Sequence, residues 1–281
     1  MPYPETLNEK PKIIFFTDFD GTITLKDSND WLASASSTLI HDLALTKPVQ
    51  TDHLGFGAQG RYDLNQDVLH NRISFRDAFT AMMNSVKTPF PECIKLLCEN
   101  IKLDPYFNDF YKWSRENHVP VIVLSSGMLP IIRALLVHLV GPEANDIEII
   151  CNEAVDRPPK TKDEEGGWQL KFHDDSHHGH DKSLAIRPYR EHFEERPDDP
   201  RPVMLYAGDG VSDLSAARET DLLFAKKGHD LITYCEREGV PFTVFEDWSS
   251  ILATTKAILE GKTTVKAVAD ESAEQAKMKN F

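Results

Sequence analysis

The chain has 281 residues, 41% of them hydrophobic and 27% charged, with a formal net charge of −14. That is enough for one large α/β domain, or a core domain with a smaller companion, in an ordinary globular composition. The acidic balance argues against non-specific nucleic-acid binding and an anionic membrane surface, so an anionic ligand must be drawn in by a local cation.

Residues 1–12 are polar and proline-containing, which provides no signal-peptide core. No stretch approaches the roughly 20 apolar residues of a membrane span. The four cysteines, Cys93, Cys98, Cys151 and Cys235, are scattered without a Cys-x-x-Cys pair. They are expected to be reduced, mostly buried thiols in a cytoplasmic protein.

The first apolar run, Ile-Ile-Phe-Phe at 13–16, predicts a strand buried on both faces. Runs at 119–124, 147–151, 203–207 and 222–225 predict further strands, with helical patterns between them at 129–140 and 214–217. Such alternation implies parallel βαβ units in an α/β, doubly wound, Rossmann-like sheet. Residues 240–245 add an expected edge strand before a last helix starting near Ser249.

From Leu25 to about His118 no core strand is apparent, and helical pieces are predicted at 31–45, 64–69, 75–86 and 93–101. A helical insertion directly after the first strand is expected to fold as an accessory domain over the site. Residues 55–60 (Gly-Phe-Gly-Ala-Gln-Gly) do not follow a strand, and are expected to form a flexible or tightly turned loop rather than a dinucleotide fingerprint. Residues 156–167 predict an exposed excursion, and 196–202 a rigid proline-containing connection. The expected division is a discontinuous core at 10–24 and 118–262, a helical cap at 25–117, and a tail at 263–281 that is either a solvated helix or frayed.

Asp18-Phe19-Asp20-Gly21-Thr22 directly follows the first strand. Two carboxylates therefore emerge at a strand's carboxyl end, where open α/β sheets place their ligands. Like charges that close raise each other's pKa unless a cation compensates them. The arrangement asks for a metal ion and for a division of tasks, against the plainer alternative of a capped strand end with two solvated acids. Ser125-Ser126-Gly127 follows the second strand. A hydroxyl and turning amides ahead of a helix make an anion site, or simply an N-cap.

Gly208-Asp209-Gly210-Val211-Ser212-Asp213 repeats the pattern after residues 203–207, and a helix starting near Val211 would keep Asp213 close to the strand end. Oxygen ligands converging from two strand ends suit Mg2+; the alternative is a helix-initiating acidic turn. Several acids in one crevice require a counter-charge, and Lys182 in Gly179-His180-Asp181-Lys182-Ser183 is the candidate.

Taken in chain order, these segments resemble the four signature motifs of the haloacid dehalogenase superfamily, over residues 12–25 and 118–259. The insertion between the first two motifs resembles the C1-type cap of that superfamily's phosphoserine phosphatase-like branch. Dehalogenases lack an acid two residues after the nucleophile and P-type ATPases carry Thr there, so Asp20 is the phosphatase pattern. The resemblance implies that Asp18 attacks phosphorus to form an aspartyl-phosphate, while Asp20 protonates the leaving alcohol and then accepts a proton from water. It implies Mg2+ on Asp18, the backbone carbonyl of Asp20, and Asp209, with Asp213 ordering the metal or its water. Ser125, Ser126 and Gly127 are the implied phosphoryl contacts, and Lys182 the implied neutralising charge. The rival readings are a catalytically silent phospholigand-binding protein and a phosphotransferase or phosphomutase.

In phosphoserine phosphatases a cap-side Glu nine residues after the nucleophile pairs with the substrate ammonium; the matching residue here is Asp27. An Arg seven residues after a Phe clamps the substrate carboxylate in that branch, and counting from Phe75 gives Met82. Phosphoserine is thereby disfavoured unless Arg61, Arg72 or Arg76 takes the clamp's place. Residues 21–30 together with His180-Asp181-Lys182-Ser183 are similar to a fungal-type subgroup of small-molecule phosphatases. Its members are assigned to polyol phosphates or to the diketo-methylthiopentyl phosphate of methionine salvage. A small phosphorylated metabolite with hydroxyls and no carboxylate suits Asp27 and Asn29, which places polyol or sugar-alcohol phosphates first. The cluster His173, Asp174, Asp175, His177, His178, His180 and Asp181 invites zinc. With no Cys and one helical His spacing, it is expected instead to be a polar loop that delivers Lys182.

Overall fold

The structure, a computed structural model, describes residues 10–34, 54–70, 72–177, 179–194 and 201–279. At its centre is Ile13–Thr17 (β1), buried at every residue. Val121–Met128 (β2) and Val203–Gly208 (β5) flank it, both parallel, with Thr17 level with Val123 on one side and Ala207 on the other. Glu148–Asp156 (β3), Trp168–Lys171 (β4), Leu222–Lys226 (β6) and Thr243–Phe245 (β7) complete a seven-stranded sheet ordered β4-β3-β2-β1-β5-β6-β7. The carboxyl ends of the central strands therefore open on one edge, where βαβ crossovers leave a crevice.

Successive residues of the central strands point to opposite faces. Ile13, Phe15, Val121, Val123, Leu205 and Phe224 join one core cluster; Ile14, Phe16, Ile122, Leu124, Met204 and Leu223 join the other. Lys182–Glu194 (α7), Leu214–Ala217 (α8) and Asp230–Glu238 (α9) cover the second face. Phe107–Glu116 (α5), Leu129–Leu139 (α6) and Trp248–Leu259 (α10) cover the first. Phe110 sits 4.8 Å from Phe15 and 4.7 Å from Trp248, ring centre to ring centre, which seats α5 on the sheet. Val265–Lys279 (α11) ends the described chain; the tail is helical.

Between β1 and β2 lies the helical cap: Ser28–Ser34 (α1), Gly57–Leu69 (α2), Phe75–Ser85 (α3) and Phe90–Asn100 (α4) precede α5. Among the described residues there, only an isolated bridge, Thr24 to Leu103, interrupts the helices. The fold is thus the expected α/β sheet with an inserted helical cap. The part of the first predicted cap helix at 35–45 lies outside the described residues, as do His178 and most of the predicted connection at 196–202.

Two details differ from the sequence reading. Of the expected glycine loop at 55–60, residues 55–56 bend and Gly57 turns with φ 75°, but 57–60 begin α2, where a Cβ on Gly60 would lie 2.6 Å from that of Phe56. The exposed excursion expected at 156–167 is present, but it connects a hairpin whose second strand was not expected: Trp168–Lys171 returns antiparallel to β3. The hairpin supports the cap: the Trp168 indole donates to the Thr88 carbonyl at 3.0 Å, and the Arg157 guanidinium donates to Asn84. Arg76 on α3 lies 4.2 Å over the Phe172 ring and donates to the carbonyls of Asp174 and Ser176. Among the described residues no helix is long and apolar enough to cross a membrane.

Candidate active site

Asp18 leaves β1 into a crevice where its carboxylate is 10% exposed. One of its oxygens accepts the Phe19 amide at 2.6 Å and the other faces Lys182 Nζ at 2.9 Å. Lys182, the first residue of α7, is fully buried. Its ammonium also reaches Asp213 Oδ1 at 2.6 Å. Burial pushes Asp18 well up, Lys182 opposes that shift, and Asp213 and Asp209 reinforce it. The same two carboxylates, Asp18 and Asp213, hold the Lys182 ammonium firmly protonated against its own burial.

Asp20 lies one turn of chain further on. Its Oδ1 accepts the Ser28 amide at 2.8 Å, and its Oδ2 accepts Asn29 Nδ2 at 3.0 Å. Both donors come from the start of α1, so the first cap helix orients a core carboxyl. Burial pushes Asp20 well above the ordinary carboxylate range, with Asp27 adding to the rise and Ser28 opposing it. A carboxyl that holds its proton near neutrality is the form a general acid needs. Two acids two residues apart therefore sit in different surroundings, one against a lysine and one against amides.

Asp209 enters from the end of β5. Its carboxylate accepts the Thr22 hydroxyl at 3.2 Å and lies 3.0 Å from His229 Nδ1. Close approach of the β1 and β5 loops depends on Gly21, which has φ 75°; a Cβ there would lie 2.3 Å from Asp209 Oδ2. Asp213 is fully buried and its oxygens are saturated by protein donors. Lys182 and the Tyr206 hydroxyl bond Oδ1 at 2.6 and 2.5 Å, and the Asp209 and Gly210 amides bond Oδ2 at 2.9 and 3.0 Å.

Among the described residues, Asp18, Asp209 and Asp213 form the one group of three whose ligand atoms lie within 4.8 Å of one another. The set is all oxygen and largely buried, as a hard divalent cation requires. With four donors on its carboxylate, Asp213 is suited to act through Asp209, Lys182 or water rather than as a direct ligand. The histidine-rich stretch forms no such group among the described residues: Asp174 accepts the Ser176 and Asp181 amides, and the rings of His173 and His180 meet edge to face.

Ser125 is not a helix cap, because β2 runs on to Met128 and α6 begins at Leu129. Its pairing with β3 shifts register between Ser125 and Met128, and Ser125 Oγ accepts the Gly127 amide at 3.0 Å. The fully buried Asn152 on β3 steadies this turn by donating to the Ser126 carbonyl at 2.7 Å.

These groups line a cavity of about 360 Å3 between the sheet edge and the cap. Its core wall carries Asp18, Asp20, Ser125, Ser126, Gly127 and Asp209, and its cap wall Asp27, Asn29, Asp30 and Asn65 against Phe75, Phe79 and Met82. Ser126 Oγ and Asn29 Oδ1 are buried there without a hydrogen-bond partner. Lys182 does not line the cavity; it stands behind Asp18. Nor does Arg61, expected among the substrate contacts, because Asp30 intervenes and takes its guanidinium at 2.5 Å. Arg72 pairs with Asp67, and Arg76 is committed to the hairpin. Among the described residues the lining contains no lysine, arginine or histidine. Asn65, Asp230, His229, Tyr206 and Asn152 were not singled out from sequence. Asp230 and His229 had a legible signal, since they follow Gly228 just past the carboxyl end of β6.

Fold and site together define a hydrolase with an acid pair at a sheet edge. A family model described as haloacid dehalogenase-like hydrolase matches residues 15–218. The chain belongs to that family and is a phosphatase within it. It is 48% identical over 257 residues to the polyol phosphate phosphatase PYP1 of Saccharomyces cerevisiae, covering 90% of this chain and 97% of that one. It is also 48% identical over 244 residues to Pdp3-interacting factor 1 of Schizosaccharomyces pombe, covering 86% and 94%. A 2-hydroxy-3-keto-5-methylthiopentenyl-1-phosphate phosphatase of Bacillus cereus is 26% identical over 248 residues, covering 88% and 97%. Among solved structures, a phospho-aspartyl intermediate analogue of phosphoserine phosphatase superposes with a TM-score of 0.57 at 14% identity, covering 87% and 99%. That likeness is one of fold.

Proposed function

We propose that this chain is a Mg2+-dependent phosphomonoesterase that hydrolyses the phosphate ester of a small polyol through an aspartyl-phosphate on Asp18. The observation that carries the reading is the cavity lining. Acids, amides and hydroxyls surround the space for the leaving group, and among the described residues no cationic side chain lines it. A leaving group bearing a carboxylate would meet Asp27 and Asp30 with nothing to pair it, whereas hydroxyls donate to carboxylates and satisfy Asn29 Oδ1 and Asn65. The likeness to the yeast polyol phosphate phosphatase supports the same class.

In the proposed reaction an Asp18 oxygen attacks phosphorus and the bond to the leaving oxygen breaks, with the proton of Asp20 passing to that oxygen. Water then gives a proton to Asp20 and attacks the same phosphorus, which releases phosphate and regenerates Asp18. Ser125 and Ser126 receive the phosphoryl oxygens, and Lys182 offsets the charge gathered around Asp18. Mg2+ would be held by Asp18, the backbone carbonyl of Asp20, and Asp209, with Asp213 bracing them. Bound there, it would screen the phosphoryl charge from the attacking carboxylate. The proposed division of labour assigns residues 25–117 to substrate selection and 10–24 with 118–262 to chemistry.

One observation favours a second reading. Phe75, Phe79 and Met82 give the cap wall an apolar side, which suits the methylthioalkyl tail of an enol phosphate. A substrate panel that includes 2-hydroxy-3-keto-5-methylthiopentenyl-1-phosphate separates the two, a preference for that compound favouring the second reading. Phosphate release is measured from glycerol, erythritol and sugar phosphates, phosphoserine and p-nitrophenyl phosphate, with Mg2+, with EDTA and with Asp18→Asn. Polyol phosphates are expected to lead, and EDTA and Asp18→Asn to abolish release. Activity that survives Asp18→Asn would sink the mechanism, and preference for phosphoserine would sink the substrate class.

A further inference from the structure

The cap wall of the catalytic cavity carries an ion pair that the catalytic steps do not use. Asp30 on α1 lines the cavity, and its Oδ2 accepts the guanidinium of Arg61 on α2 at 2.5 Å. Its backbone amide donates to Asp27 Oδ1 at 2.8 Å. The Asp30 side chain is 38% exposed, and among the described residues no donor reaches its Oδ1. Burial raises the Asp30 carboxyl, and the Arg61 charge works against that rise. A carboxylate paired with a guanidinium only accepts hydrogen bonds, and one contact leaves it an oxygen to spare. Asp27 differs: pushed up to about 7, it holds a proton part of the time near neutrality and serves a hydroxyl in either direction.

The same turn of α1 sets the general acid. Ser28 and Asn29, the two residues before Asp30, hold the Asp20 carboxyl, which meets the ester oxygen in the proposed reaction. The backbone therefore ties the group at the leaving oxygen to an acceptor on the wall beside the leaving chain.

We propose that Asp30 is a specificity-determining residue, whose Oδ1 accepts a hydroxyl of the leaving chain, and that Arg61 is the positioning residue that aims it. The inference rests on the polyol phosphate reading and names the groups that enforce it. An alkyl ester of the same length brings no donor and leaves a carboxylate on the wall unpaired as water is displaced, which is costly. Arg61, which cannot reach the substrate past Asp30, acts on selection only through that carboxylate.

The test compares kcat/KM for erythritol phosphate and butyl phosphate, two four-carbon esters with and without hydroxyls, on the intact chain with Mg2+. The preference for erythritol phosphate should fall at least about tenfold in Asp30→Asn, the worth of a hydrogen bond to a charged group. It should fall about threefold in Arg61→Met, and Arg61→Lys should restore most of that. The double variant should lose no more than Asp30→Asn alone, because both act through one contact. Arg72→Met breaks a cap ion pair of the same kind, with Asp67 at 2.6 Å, and should leave the preference within about twofold. If Asp30→Asn does not fold, Asp30→Ser and the Arg61 pair decide. Equal losses on both esters, or a preference unchanged in the Asp30 and Arg61 variants, would overturn this inference alone. No turnover of erythritol phosphate by the wild type would overturn it together with the polyol reading.

Discussion

Asp20 concentrates the chemistry that separates this chain's two neighbouring acids. Held by the Ser28 amide and Asn29, and pushed up by burial, it is equipped to protonate a leaving oxygen. Asp20→Asn should lower kcat for an alkyl phosphate by about 10²–10⁴-fold. The loss should be much smaller for p-nitrophenyl phosphate, whose leaving group departs without a proton, and the ratio of the two losses is the readout. Asp27 carries a second consequence. Burial pushes its carboxyl from 3.8 up to about 7, with Asp30 adding to the rise. A raised carboxyl stabilises the fold below its unfolded value, and that contribution is lost as pH climbs through the folded value. Metal-free Asp27→Asn should therefore gain on the wild type between about pH 4 and 7, by about 1–2 kcal/mol at pH 8 after discounting for partial exposure. Urea denaturation at pH 5 and pH 8 measures it; equal differences at both pH values would contradict the account.

At the scale of elements, the site is made by strand ends whose approach is sterically conditional. Gly21→Ala forces a Cβ against Asp209 in a left-handed backbone, and should reduce activity more severely than Thr22→Ser, which keeps the hydroxyl on Asp209. The cap rests on the β3–β4 hairpin through Arg76, Trp168 and Arg157. Arg76→Ala should raise KM for a polyol phosphate several-fold while leaving kcat for p-nitrophenyl phosphate nearly unchanged, as steady-state kinetics would show. The five central strands and the apolar-polar joints at their carboxyl ends were legible because buried parallel strands are written as continuous apolar runs. Trp168–Lys171 was not, since a strand of that length leaves too few alternations to set its period. The start of α2 was hidden by glycines that suggest a turn but relieve contact with Phe56. Asp18, Asp20, Ser125 and Asp209 were legible from local sequence, whereas Asn65, Tyr206 and Asn152 reach the site through packing between distant segments. Arg61 looked like a ligand for an anion because nothing local reveals that Asp30 holds it.

The whole molecule carries a net charge of −14, yet the proposed reaction brings a phosphate ester into its cavity, so attraction must be local. Asp18 and Asp213 share one ammonium, and Asp209 brings a third carboxylate within 4.8 Å of both, which leaves room for further positive charge. Saturating Mg2+ should therefore raise the thermal midpoint by about 5 °C, and Asp209→Asn should remove most of that gain. The central claim is that Asp18 takes the phosphoryl group from a polyol. It is tested most directly by acid-quenching turnover of radiolabelled erythritol phosphate and locating protein-bound label by peptide mapping. The account predicts hydroxylamine-labile label on the peptide containing Asp18, absent from Asp18→Asn. Label on another residue, or turnover with no bound label at any quench time, would contradict it.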